Sequence, residues 1–159
     1  MHTNLDAAQG GVNDALARQL GLEQTEALEG GDGIARTGLL PEAVALPDFL
    51  ALVRKRLRPN GIRFVDGGRP VRRVAVGGGA CGEYFAAAAA AGCDAFVTAD
   101  VKYNQFLDAA GLGLSLLDAG HFPTEDVVCP VLAQFLQERF PDLDITKSAS
   151  HRENIHYYV

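Results

Sequence analysis

The sequence predicts an α/β fold in which layered strand–helix units surround a largely parallel central sheet. Three observations carry this expectation. From Val71 onward, short apolar runs alternate with stretches of helical periodicity, the pattern of repeated strand–helix crossovers. Glycine-rich turns, above all Gly77 to Gly82, punctuate that alternation. The chain of 159 residues is 48% hydrophobic and 21% charged, the balance of a chain that buries a core.

Taken in order, Asn13 to Leu22 places Ala15, Leu16 and Leu20 on one helical face, with Asn13 as a candidate cap. Residues 23–40 hold glycines at 30, 31, 33 and 38 and suit a hairpin or two short strands around a loop. Pro47 fits a helix's first turn, and Phe49, Leu50, Val53 and Leu57 follow at helical spacing until Pro59-Asn60-Gly61 ends it. A strand over Ile62 to Val65 and a turn at Asp66-Gly67-Gly68 come next. The repeated units then run as a strand Val71–Val76, a helix Glu83–Ala91, a strand Ala95–Thr98, a helix Val101–Ala110, a strand Leu114–Leu117 and a long helix Pro123–Phe140. Ile145–Ser148 and Ile155–Val159 are expected as closing strands. No low-complexity linker interrupts the chain, so residues 1–159 are expected to form a single domain.

A net charge of −6 and a pI near 5.1 argue against a strong nucleic-acid footprint. The one basic run, Arg54-Lys55-Arg56-Leu57-Arg58, closes a helix, where the dipole favours cations. Cys81, Cys93 and Cys129 are few and scattered, which suits core-filling thiols and not a disulfide framework. No run is long and apolar enough to span a membrane, the six alanines Ala86 to Ala91 being too few. No signal peptide is visible, and a cytoplasmic location is expected. The chain opens on Met1 and the polar His2-Thr3-Asn4-Leu5-Asp6, with no preceding hydrophobic run, as though it began in mid-domain.

Ligands of open α/β sheets collect beyond the carboxyl ends of the strands. Three successive units deliver Gly77-Gly78-Gly79, then Asp100 and Lys102, then Asp118, His121 and Glu125 to that edge. With the helix starting near Phe122 or Pro123, His121 and Glu125, at i and i+4, point to one face. An imidazole with a carboxylate suits zinc, manganese, iron or nickel, although a helix-opening histidine and a first-turn glutamate also occur for dipole reasons alone. Gly120 lets the chain turn sharply ahead of the pair. Asp6, before Ala7-Ala8-Gln9-Gly10-Gly11, is by spacing alone either a ligand or a turn cap. Gly77-x-Gly79-x-x-Gly82 follows a strand and opens a helix, with Asp100 ending the next strand, so it matches the dinucleotide fingerprint. With no complete second mononucleotide half, specific nicotinamide binding is not expected.

The segments HTNLDAAQGGVNDALA (2–17), VAVGGGACG (74–82), FVTADVKYNQFLDA (96–109) and LLDAGHFPTE (116–125) together resemble the GTP cyclohydrolase type-two homologues, also called dinuclear metal-centre or Ngg-interacting-factor-three-like proteins. The resemblance runs along the whole chain and corresponds to the C-terminal portion of the family's unit. It implies one lobe of a two-lobed dinuclear-metal fold plus part of the other, and a homohexamer. It implies Asp6, His121 and Glu125 as metal ligands, with Glu125 bridging two divalent ions per subunit in the intact family site. His2, Asp100 and Lys102 become candidates for supporting the ligands or binding substrate. The activity implied is metal-dependent hydrolysis of a nucleotide or phosphoester; the alternatives are a metal-binding regulatory or scaffold protein, or an inactive fragment. Two departures stand out: the family's paired histidines (an HHP-type motif) have no counterpart here, and Asn104 stands where many members carry histidine in D-x-K-Y-H. By themselves the three ligands imply a single weakly held ion with water completing its shell.

Overall fold

Val74, Ala75 and Val76 alternate between two hydrophobic clusters, as do Ala95, Phe96 and Val97 and, in turn, Leu116 and Leu117. Period-two alternation of entirely apolar residues requires a strand covered on both faces. The computed structural model, which describes residues 2–158, supplies that cover. Strands β1 (Glu23–Ala27), β2 (Arg36–Val44), β3 (Arg63–Val65), β4 (Val71–Val76), β5 (Ala95–Thr98) and β6 (Ser115–Asp118) form one six-stranded sheet. Its order is β1-β2-β4-β5-β6-β3. The centre, β4-β5-β6, is parallel, as the crossovers predict, and antiparallel strands β1, β2 and β3 flank it.

Helices α2 (Val12–Leu20) and α3 (Leu46–Leu57) cover one face, contributing Leu16, Leu20, Phe49 and Val53 to its core. Helices α4 (Phe85–Ala90) and α5 (Tyr103–Gly111) cover the other, where Ala88 and Ala109 pack near Phe96. Phe96 is fully buried, so truncating it to alanine costs about 3–5 kcal/mol. Gly21, with φ +77, ends α2 in a left-handed cap. Pro41 falls in the stretch where β2 shifts register against β4, the place a sheet tolerates a residue with no N–H.

Several expectations are corrected. Asn13 does not cap α2: the helix begins at Val12 with Gly11 before it, and the Asn13 side chain is fully buried. HTNLD forms a short helix of its own, α1 (Thr3–Ala7). The long helix expected over 123–140 is broken into α6 (His121–Glu125) and α7 (Val128–Arg139). Pro130 accounts for the break, because a proline is accommodated in a helix's first turn and not its interior. Val101 stays outside α5, and a 3-10 turn, Gly82–Tyr84, precedes α4. Neither closing strand forms among the described residues, and Val159 lies outside them. Lys147 and His151 instead tie the tail to Asp126, between α6 and α7.

Because β4, β5 and β6 run parallel, their carboxyl ends emerge on one edge. Each is followed by one of the polar segments singled out in the sequence. The amino-terminal segment is fastened to the same region by two buried side chains. Asn13 donates to the carbonyls of Asp6 (3.2 Å) and Ile34 (2.9 Å) and accepts from the Gly78 N–H (2.7 Å). Arg36 pairs with Asp14 at 2.5 Å and donates to the Ala7 carbonyl at 3.0 Å.

Candidate metal centre

Gly120 adopts φ +86, a conformation that strains a residue with a Cβ. That turn starts α6 at His121, two residues earlier than Pro123. The i,i+4 geometry then brings His121 Nε2 to 3.3 Å from Glu125 Oε1. On its other side, His121 Nδ1 lies 2.6 Å from Asp100 Oδ2. Asp100 itself holds φ +52, an uncommon state that aspartate tolerates better than most residues and that clusters at functional sites. The Asp100 hydrogen bond raises the His121 pKa above its ordinary value, against partial burial and with help from Glu125.

The glycine loop closes over this pair. Gly79 has φ +65, and a Cβ there would fall 2.4 Å from Glu125 Oε1 and 3.1 Å from His121 Nε2. Glycine therefore leaves the two side chains in place, whereas a Cβ would push the Glu125 carboxylate aside. Three of the loop's N–H groups are engaged: Gly78 donates to Asn13, Gly79 to Thr124 Oγ1 at 3.0 Å, and Cys81 to Thr98 Oγ1 at 3.2 Å. A pyrophosphate would compete with Asn13, Thr124 and Thr98 for these donors, and the close approaches of Gly77 to Cys81 and of Gly78 to Val12 use the glycines for packing at the sheet edge. The Cys81 thiol donates to the Gly78 carbonyl. Burial, reinforced by the charges of Asp6, Glu83 and Glu125, pushes its pKa up to about 11.

A cavity of about 630 Å³ opens beside these elements, and Asp6, His121 and Glu125 all line it, with His2 and Asp100. Asp6 and His121, 115 residues apart by numbering, thus border one cavity. The donor atoms of Asp6, His121 and Glu125 do not, however, all come within 4.8 Å of one another; among the described residues only those of Asp126, Cys129 and His151 do so. His2 is exposed, with Nδ1 2.8 Å from the Thr3 hydroxyl. Lys102 lies apart: it is exposed at the start of α5, its N–H donates to Gln105 Oε1, and it is not a lining residue. Arg63 also lines the cavity, donating to Asp118 and, at 3.0 Å, to the Val101 carbonyl.

The spacing of the His121–Glu125 pair fits a divalent ion, whereas the Asp6 carboxylate would have to turn toward it. Nitrogen and oxygen ligands of a tetrahedral zinc stand about 3.4 Å apart, close to the His121–Glu125 separation of 3.3 Å. Asp100 on the far ring nitrogen supplies the carboxylate–histidine contact that fixes tautomer and orientation in metal sites.

Sequence reading missed a second group. Asp126, Cys129 and His151 each present a donor atom within 4.8 Å of the others, and all three line the same cavity. Burial and the neighbouring Asp126 raise the Cys129 pKa. The D-x-x-C spacing, with both residues on one side of a helical turn, was a legible signal; the return of His151 from the tail was not.

Comparison with known proteins bears on these residues. The profile of Duf34/NIF3 (NGG1p interacting factor 3) matches residues 1–154. A GTP cyclohydrolase 1 type 2 homolog of Nostoc sp. is 37% identical over 142 residues, covering 86% of this chain and 54% of the relative. One from Streptomyces coelicolor is 38% identical over 148 residues, covering 86% of this chain and 52% of the relative. The chain thus spans about half the length of the curated relatives it matches. In three dimensions it is similar to a Staphylococcus aureus hypothetical protein at TM-score 0.89 and 25% identity, covering 99% of this chain and 67% of that one. A Bacillus cereus protein related to NIF3 gives TM-score 0.88 at 24% identity, covering 98% of this chain and 72% of that one.

Proposed function

The chain belongs to the Duf34/NIF3 family, and from that premise we propose that Asp6, His121 and Glu125 hold divalent metal in a centre that hydrolyses a nucleotide or phosphoester. The observation that carries this reading is the His121 imidazole, held between the Asp100 carboxylate at 2.6 Å and the Glu125 carboxylate at 3.3 Å. Asp100 fixes the ring so that Nε2 faces the cavity side shared with Glu125, and Gly79 keeps the space beside both donors clear. A bound divalent ion supplies there a water of lowered pKa and a polarising contact for a phosphoryl or ring-carbon centre. Asp6, whose backbone carbonyl accepts from Asn13, supplies the third donor once its carboxylate turns toward the pair. The cavity volume of about 630 Å³ is in the range of small-molecule sites, on the order of 300–1,000 Å³. Arg63, half exposed in that cavity, offers a cation for an anionic substrate group.

The same reading includes homo-oligomeric assembly, hexameric as the resemblance implies. Phe135, Phe140 and Leu143 are more than half exposed, and assembly would cover apolar surface of this kind. Light scattering of the purified chain tests it.

The experiment on activity is metal binding and turnover of a nucleotide and phosphoester panel by the chain with added zinc, manganese, iron or nickel. His121→Ala and Glu125→Gln are expected to lower both metal affinity and turnover. Turnover that survives both substitutions would overturn the assignment. Metal bound at these residues with no turnover on any panel member would favour a metal-binding regulatory or scaffold role instead.

A further inference from the structure

Asp126 closes α6, and Cys129 lies three residues later in the first turn of α7, so the two side chains project from one corner. The tail beyond α7 forms no regular secondary structure among the described residues, yet it returns to this corner. There His151 Nε2 lies 3.1 Å from Asp126 Oδ1 and 3.9 Å from Cys129 Sγ. A tetrahedral zinc with its usual bond lengths spaces nitrogen from oxygen by about 3.4 Å and nitrogen from sulfur by about 3.5 Å. The ring is steadied by Phe122, whose centroid lies 5.0 Å away at a 50° tilt. Lys147 Nζ sits 2.5 and 2.7 Å from the two Asp126 oxygens, which shows a position where this carboxylate already holds a cation. Its side chain is partly exposed, so it can keep Oδ2 alone or swing into solvent, leaving Oδ1 to a metal.

We propose that Asp126, Cys129 and His151 form a second metal site, distinct from Asp6, His121 and Glu125, which takes a thiolate-binding divalent ion of the zinc class and clips the tail onto the α6–α7 corner. Sulfur sets its preference: a soft thiolate with an imidazole selects zinc over magnesium or calcium. Coordination replaces the Cys129 S–H bond by a metal–sulfur bond, and the thiol proton leaves to solvent. Three protein donors leave the fourth tetrahedral position to water from the cavity that all three residues line. The site also closes a loop from Cys129 to His151, so metal binding orders a segment that secondary structure leaves free.

The Asp6–His121–Glu125 set contains no sulfur, which makes the two sites separable by spectroscopy. The test is titration of the full 159-residue chain with cobalt(II), following the near-ultraviolet sulfur-to-cobalt charge-transfer band. The band is expected to appear, to be lost in Cys129→Ser and in His151→Ala, and to persist in His121→Ala. In parallel, zinc added to the unsubstituted chain is expected to block alkylation of Cys129 and to slow amide exchange in residues 144–152, a readout that no variant's folding affects. Absence of the band, its survival in Cys129→Ser, or alkylation of Cys129 unchanged by zinc would overturn the proposal. Loss of metal in His121→Ala with the sulfur band intact speaks only to the first site.

Discussion

Substituting Gly79 by alanine separates backbone strain from occupancy of the centre. At φ +65, a residue with a Cβ costs about 1–2 kcal/mol. For a domain of this size that is a fall in Tm of roughly 2–8 °C. The new Cβ would stand 2.4 Å from Glu125 Oε1, whereas ordinary contact begins at 3.4 Å, so the carboxylate must retreat by about 1 Å, beyond the roughly 0.5 Å tolerance of a metal constellation. Glu125 is a flexible, partly exposed side chain and can move without unfolding the loop. Stability should therefore change modestly while divalent-metal affinity falls by about 10–100-fold, the scale of lost ligand orientation. Gly92 is the control, because it has φ +73 with nothing within 4 Å of its would-be Cβ. Gly92→Ala should lower Tm comparably and leave metal affinity unchanged. The assays are thermal melting of the metal-free chain and competition titration with a chromophoric chelator. Equal metal affinity in Gly79→Ala and Gly92→Ala would refute the placement of Glu125 at the metal.

Asn13→Ala should destabilise the chain by about 2–3 kcal/mol in urea unfolding, because it strands the buried Gly78 N–H and the carbonyl of Ile34; a change below the error of extrapolation would show those contacts to be dispensable. Cys81 carries an alkaline dependence of stability. Its folded pKa is raised from 9.0 to about 11, so its contribution is whole below pH 9 and is lost as pH rises to 11, up to about 2–3 kcal/mol. Cys81→Ala should flatten the loss of stability over that range, and an unaltered pH profile would contradict it. Asp100→Asn keeps the size of the side chain but removes the charge beside His121 Nδ1; metal affinity should drop by about tenfold or more, and an unchanged value would remove Asp100 from the centre.

Much of this architecture was legible because period-two and helical patterns report burial directly. The apolar runs 71–76 and 95–98 became the strands at those positions, and their parallel pairing follows from the crossovers between them. The site was legible where local geometry decides it: His121 and Glu125 need only one helical turn, and Gly120 announces the bend before them. Other features depend on contacts between distant segments. Asn13 looked like a cap because capping is the usual use of asparagine near a helix start, but in the fold it joins three segments through buried hydrogen bonds. The tail's apolar Ile145 and Ile155 suggested strands, yet Lys147 and His151 meet Asp126 and hold the chain at a helix corner instead. The helix expected over 123–140 ran through Pro130 because a proline at that position is read as a first-turn residue only once the end of α6 is known.

The most direct test of the centre is anomalous diffraction from crystals of this chain soaked in zinc or manganese. The account predicts a peak about 2.0–2.2 Å from His121 Nε2 and from a Glu125 oxygen, with the Asp6 carboxylate turned toward it and Asp100 still bonded to Nδ1. Peaks confined to other parts of the molecule, with His121 and Glu125 left uncoordinated at saturating metal, would contradict it.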